Sequence, residues 1–205
     1  MHPDAARLFA LDEALHAEAD RVLGESGIGA ILAEYGYQAV GSYAMRTMTW
    51  RDLDFELYED PATPGIKWEL GNRLAATGWC VRLQYDDFYR QAHPDAPGGA
   101  LYWGARILSP GVAERQPRSG GLIWKLDMWS GPRASFTQGF RRRPVWQSLL
   151  NDDTRSHVLA IKEAVCHDPE YRKTMLSVHI YDAVLEHGVR DVAAFRAWWR
   201  ATVSS

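Results

Sequence analysis

The chain has 205 residues, 46% of them hydrophobic, 12% aromatic and 24% charged, with a formal net charge of −3. That is material for one domain, or one domain with a small appendage, around a packed core. The acidic balance argues against a dedicated nucleic-acid binder. Two cysteines, Cys80 and Cys166, are too few for a zinc quartet and match no redox motif, and no apolar run approaches the ~20 residues of a membrane span.

The start, Met1-His2-Pro3-Asp4-Ala5, lacks the basic and apolar regions of a signal peptide, so a cytoplasmic protein is expected. Residues 4–23 read as a helix, because Leu8, Leu11, Leu15, Ala19 and Val22 recur at helical spacing. Gly24, Gly27 and Gly29 break it. A strand over 37–40 then runs into Gly41-Ser42, and a short helix is expected over 43–49 with Ser42 near its start.

Residues 52–58 alternate acidic and apolar. In a strand, Asp52, Asp54 and Glu56 point one way, and Leu53, Phe55 and Leu57 the other. Three acids on one face repel each other. Two carboxylates held close make sense with a divalent cation between them. Glu56 reads more simply as a solvated or ion-paired strand end. Upstream, the Gly41-Ser42 turn offers backbone N–H groups and a hydroxyl, a cradle that suits phosphate.

A loop over 59–65 leads to a helix over 66–77, closed by Gly78. Strands follow over 79–85 and 100–108, separated by irregular chain and followed by a Pro/Gly/Ser-rich loop over 109–121. A further strand, 122–129, places Ile123, Lys125, Asp127 and Trp129 on one face. Lys125 and Asp127 sharing a face suit either a salt bridge or, for Lys125, a phosphate contact. Arg141-Arg142-Arg143 reads as a solvated turn, or as a group that neutralises polyphosphate or an acidic partner. Three helices close the chain: one capped at Asp152-Asp153-Thr154 and running to about Cys166, one from Thr174 or Ser177 to His187-Gly188, and one capped by Asp191. Lys162 in the first is either a surface lysine or a reach toward phosphate. Trp198 and Trp199 cannot both face inward on one helix, so one marks a homodimer contact or a capped terminus. The expected organisation is an αβ domain over 1–135 and a helical subdomain over 144–205.

Gly41-Ser42, nine residues, then Asp52-Leu53-Asp54 on a strand, with Asp127 on a later one, resembles the signature of the nucleotidyltransferase superfamily. Its members include polymerase beta, the poly(A) polymerases and the kanamycin and lincosamide nucleotidyltransferases. The resemblance covers about residues 30–130. It implies an α+β fold, with a mixed, mostly antiparallel sheet flanked by helices and a helical C-terminal segment. It also implies that Gly41, Ser42, Arg46 and Lys125 bind an NTP, and that Asp52, Asp54 and Asp127 are the catalytic acids and hold two Mg²⁺ ions. Two such ions about 3.5–4 Å apart clamp the attacking and leaving oxygens of an in-line displacement at phosphorus.

Two departures bear on what is bound. Many members read Gly-Ser-x-Ala-Arg-Gly, which puts Arg46 one position late; many carry Ser where this chain has Arg51. The expected function is transfer of a nucleoside monophosphate from an NTP to a hydroxyl of a small-molecule acceptor, with pyrophosphate released. The alternatives are a nucleotide-binding regulator, such as the nucleotidyltransferase-like half of a toxin–antitoxin pair, which in some cases modifies a protein tyrosine, and a degenerate fold without metal.

Overall fold

In the computed structural model, the residues described are 1–59, 64–91, 99–109, 123–171 and 173–203. They form two compact units. One comprises Ala14–Thr137, the other Met1–Glu13 with Gln138–Ser205. The long first helix, α1 (Ala5–Glu25), contributes residues to both.

The first unit carries the sheet. Its strands are β1 (Gln38–Val40), β2 (Asp52–Tyr58), β3 (Cys80–Asp87), β4 (Leu101–Leu108) and β5 (Ile123–Gly131). They lie in the order β1-β2-β5-β4-β3. Among these five strands of the described residues, β2 and β5 pair in parallel and the other three pairings are antiparallel. The chain is therefore α+β, with a mixed, mostly antiparallel sheet flanked by helices and a helical C-terminal part, the fold class that the resemblance implies.

Alternation divides the sheet into two faces. Leu53, Phe55, Leu101, Trp103, Ala105, Ile107, Trp124, Leu126 and Met128 are buried on one. That face is the core, and α4 (Pro64–Ala76) adds Leu70 and Leu74 to the buried set. Proline opens α4 at the position where its missing N–H costs nothing. Gly71 in α4 is set by packing: a Cβ there would come 2.5 Å from the Trp103 ring. Trp103 and Trp124 are buried in this core, whereas Trp129 is half-buried on the opposite face.

Glu18 of α1 is an unpredicted hub in this unit. It accepts from Arg51 Nε at 2.8 Å and Nη2 at 2.7 Å, from Ser109 Oγ at 2.8 Å and from Trp124 Nε1 at 3.1 Å. This gives Arg51 a structural task. Burial alone would raise the Glu18 carboxyl, but the hydrogen bonds from Arg51, Ser109 and Trp124 hold it below its ordinary value. A depressed folded-state pKa stabilises above the unfolded value of about 4.3 and is lost as pH falls through the folded value. Glu18→Gln is expected to cost about 1–3 kcal/mol near neutrality, with the gap to wild type closing below about pH 4. Urea unfolding of both proteins across pH 3–7 measures this; a gap that does not change with pH would contradict it.

Several elements differ from expectation. A helix, α2 (Ile28–Glu34), replaces the loose segment after the glycines: Gly27 at φ 71° restarts the chain and Gly29 lies inside the helix. The short helix α3 is Gly41–Ala44, earlier than 43–49, and Arg46 at φ 54° turns the chain out of it. In β3 the register shifts between Cys80 and Arg82, leaving Val81 exposed where simple alternation predicts an inward side chain. The predicted loops fall largely on 60–63, 92–98 and 110–122, outside the described residues.

The second unit is helical. A helix not anticipated from sequence, α5 (Thr137–Leu149), carries Pro144 in its interior. Arg142 is no solvated turn residue. It pairs with Asp182 and Glu186, each at 2.6 Å, and lies over the Trp146 ring. Those acids sit in a π-helical turn, Asp182–Glu186, that continues α7 (Ser177–Tyr181). Helix α6 (Asp152–Val165) is capped by Asn151 rather than by the acids after it: Asn151 accepts from Thr154 N–H, and Thr154 Oγ1 accepts from Asn151 N–H. Lys162 is fully buried and stands over the Tyr181 ring, which overturns the surface-lysine reading. In α8 (Val192–Val203), Asp191 accepts from Ala194 N–H as predicted. Trp199 is buried and Trp198 packs on His187 and Phe195. No helix among the described residues is long and apolar enough to cross a membrane.

Candidate metal centre

The other face of the sheet is polar because register lines up its charged residues. Across β2 and β5, Asp52 is opposite Lys125, Asp54 opposite Asp127 and Glu56 opposite Trp129. From β4, Arg106, Gly104 and Tyr102 stand opposite Lys125, Asp127 and Trp129 in turn. The three aspartates each offer an oxygen within 4.8 Å of the other two. A pattern read along one strand thus becomes a cluster across two.

The turn after β1 closes against the same cluster. Val40 pairs with Asp54, and Gly41 follows at φ 61°. A Cβ on Gly41 would meet Asp54 Oδ2 at 2.2 Å, so glycine is required for both its backbone and its missing side chain. Ser42 is buried, and its carbonyl accepts from Thr47 N–H at 2.9 Å. Residues beyond the predicted site hold this turn to α1. Tyr43 donates to Asp20 at 2.5 Å, and His16 Nε2–H donates to the Tyr43 carbonyl at 2.8 Å while the two rings stack. Burial, together with Asp20, pushes the Tyr43 phenol up to about 12. Arg46 belongs to the same turn but is exposed.

Gly41→Ala is expected to displace Asp54 and weaken Mn²⁺ binding at the cluster at least about tenfold, through strain of about 1–3 kcal/mol at this position. Electron paramagnetic resonance of unbound Mn²⁺, in the presence of an NTP analogue, measures it. Wild-type affinity would show that the turn does not position Asp54.

Donors surround the acids. Tyr102 donates to Asp127 Oδ1 at 2.8 Å, and Lys125 Nζ donates to Asp127 Oδ2. Lys125 Nζ is also 3.3 Å from Asp52 Oδ1, and Trp50 Nε1 donates to Asp52 Oδ2 at 3.3 Å. Burial by itself would lower the Lys125 ammonium, but the Asp52, Asp127 and Asp54 carboxylates together outweigh it and raise it. The Tyr102 phenol is raised by burial and by Asp127. Tyr102 reaches Asp127 over Gly104, where a Cβ would come 2.5 Å from its hydroxyl. A glycine inside a strand pattern is the sequence signal for such a close approach. Glu56 accepts from Tyr58, in keeping with its reading as a strand-end acid.

The donor set suits a hard divalent cation: three carboxylates and no sulfur or imidazole. Asp52 Oδ1 is buried and accepts no hydrogen bond despite the nearby ammonium. A buried carboxylate oxygen that accepts no hydrogen bond is costly, and a metal ion would offset that cost. The residues therefore fit Mg²⁺ or Mn²⁺. No protein-family model matches the chain, and a search of curated proteins finds no match.

Proposed function

We propose that the chain is a cytoplasmic, metal-dependent nucleotidyltransferase that moves a nucleoside monophosphate from an NTP to a hydroxyl of a small-molecule acceptor. One observation carries the reading: Asp52, Asp54 and Asp127 converge from two adjacent parallel strands beside the Gly41-Ser42 turn. Asp52, Asp54 and Asp127 would hold Mg²⁺, which supplies Lewis-acid stabilisation of charge on the phosphate oxygens. The Gly41-Ser42 turn and Lys125 receive the triphosphate, with Arg46 on the same turn. Asp127 takes the proton of the acceptor hydroxyl. The acceptor oxygen bonds to the α-phosphorus, and the bond from that phosphorus to the pyrophosphate oxygen breaks. The net charge of −3 favours a small acceptor over a long nucleic acid.

A second reading, a nucleotide-binding regulator on the same fold, draws support from Lys125 and Tyr102, which occupy both oxygens of Asp127. Thermal melting with each NTP, with and without Mg²⁺, tests both. A bound NTP at about a hundredfold over its Kd adds about 2.7 kcal/mol, or roughly 5–10 °C for a chain of this size. A shift without pyrophosphate release favours the regulator, and no shift with any NTP sinks both readings.

A further inference from the structure

Three of the four carboxylate oxygens of Asp52 and Asp127 accept from the protein itself, Asp52 Oδ2 from Trp50 and those of Asp127 from Tyr102 and Lys125, and the fourth, Asp52 Oδ1, is ion-paired with Lys125 at 3.3 Å without a hydrogen bond. Lys125 is the only cation in that set, and it touches both acids. Its partner position across the strands is Asp52, so the side chain leans along β5 to reach Asp127 as well. An ammonium held between two carboxylates offsets their repulsion. It is also a cation competing for the oxygens that a divalent ion needs. Trp50 and Tyr102 are neutral and leave each carboxylate a free lone pair; Lys125 alone opposes a second positive charge.

Resting on the nucleotidyltransferase reading, we infer that Lys125 makes metal binding conditional on nucleotide. In the nucleotide-free protein it is an internal counter-ion on Asp52 and Asp127 and disfavours a free divalent cation. A lysine ammonium is a point charge on a flexible four-carbon stem. The phosphates of an arriving nucleotide draw it off the acids, and Asp127 Oδ2 and Asp52 Oδ1 become available to the metal that the nucleotide brings. Lys125 is thus a positioning residue that ties two ligands together, and by linkage each ligand strengthens the other by the same factor. The arrangement keeps stray divalent cations from filling the site before the substrate does.

The test compares wild type, Lys125→Met and Lys125→Gln. The glutamine retains an N–H donor without the charge, which guards against a methionine variant that fails to fold. Mn²⁺ affinity of the nucleotide-free proteins is read from the resonance of unbound Mn²⁺. Binding of α,β-methylene ATP, with and without Mn²⁺, is read by equilibrium dialysis. The neutral variants are expected to bind Mn²⁺ about tenfold or more tightly than wild type in the absence of nucleotide, within the usual range of such couplings. Their nucleotide affinity should depend less on Mn²⁺ than that of wild type. Equal Mn²⁺ affinities in all three proteins overturn the inference, and Mn²⁺-dependent nucleotide binding by wild type then leaves the proposed function standing. If wild type binds the analogue under neither condition, both fall.

Discussion

Asp54→Asn is expected to abolish the NTP- and Mg²⁺-dependent rise in melting temperature and to lower pyrophosphate release by at least about 10²–10³-fold, the scale of losing one group aimed at developing charge. Asp54 is the centre of the cluster: it stands opposite Asp127 on one side and Val40 on the other, and its Oδ2 lies against Gly41. Asparagine preserves that shape while removing the charge and turning one acceptor oxygen into a donor. Asp127→Asn should behave differently. It lies at the acceptor side of the proposed reaction, held by Tyr102 and Lys125. Its loss should cost a similar factor in turnover while most of the melting shift survives. Melting curves and pyrophosphate release on the same two variants separate the roles. If Asp54→Asn retains the shift, the three acids are not the metal centre.

Asp12→Ala is expected to destabilise the unit that contains it by about 3–5 kcal/mol, the scale of removing one member of a buried ion pair. Asp12 is fully buried, and Arg155 donates to its Oδ2 at 2.5 Å. The guanidinium also lies 4.4 Å from the centre of the Phe9 ring, so it cannot easily turn to water. The pair links α1 to α6 within one unit. Replacing both members, Asp12→Leu with Arg155→Met, should recover most of the loss, because desolvation of the pair offsets much of its attraction. Urea unfolding of the two single variants and the double completes the cycle. A single-variant loss below about 1 kcal/mol would place the pair among ordinary surface contacts.

Strand β2 was legible to the residue, because strict alternation leaves no other register for Asp52–Tyr58. The sharing of one face by Lys125 and Asp127 was legible for the same reason. What alternation along one strand cannot give is which strands are neighbours. That Asp127 stands opposite Asp54, and that Tyr102 reaches over Gly104, are facts of pairing across the sheet. Helix α2 was hidden by its glycines, one of which starts it. Helix α5 was hidden by Pro144 and an arginine run whose middle member pairs with acids of the π-helical turn. Lys162 shows the reverse case. Its spacing with Val158, Ile161 and Val165 put it on the apolar face of α6, and that periodicity, rather than the usual preference of lysine for water, described its burial.

The parallel pairing of β2 with β5 has a consequence for how the protein is made. Residues 59–122 all lie between the two strands, and that length of chain must close before Asp54 and Asp127 can meet. During synthesis the Gly-Ser turn and two of the acids emerge well before the third. A chain interrupted anywhere in that interval carries the motif but no assembled site. An assembled three-acid cluster therefore reports that β5 has been translated and inserted between β2 and β4, and a ligand that needed all three acids would act as a check on the completed sheet.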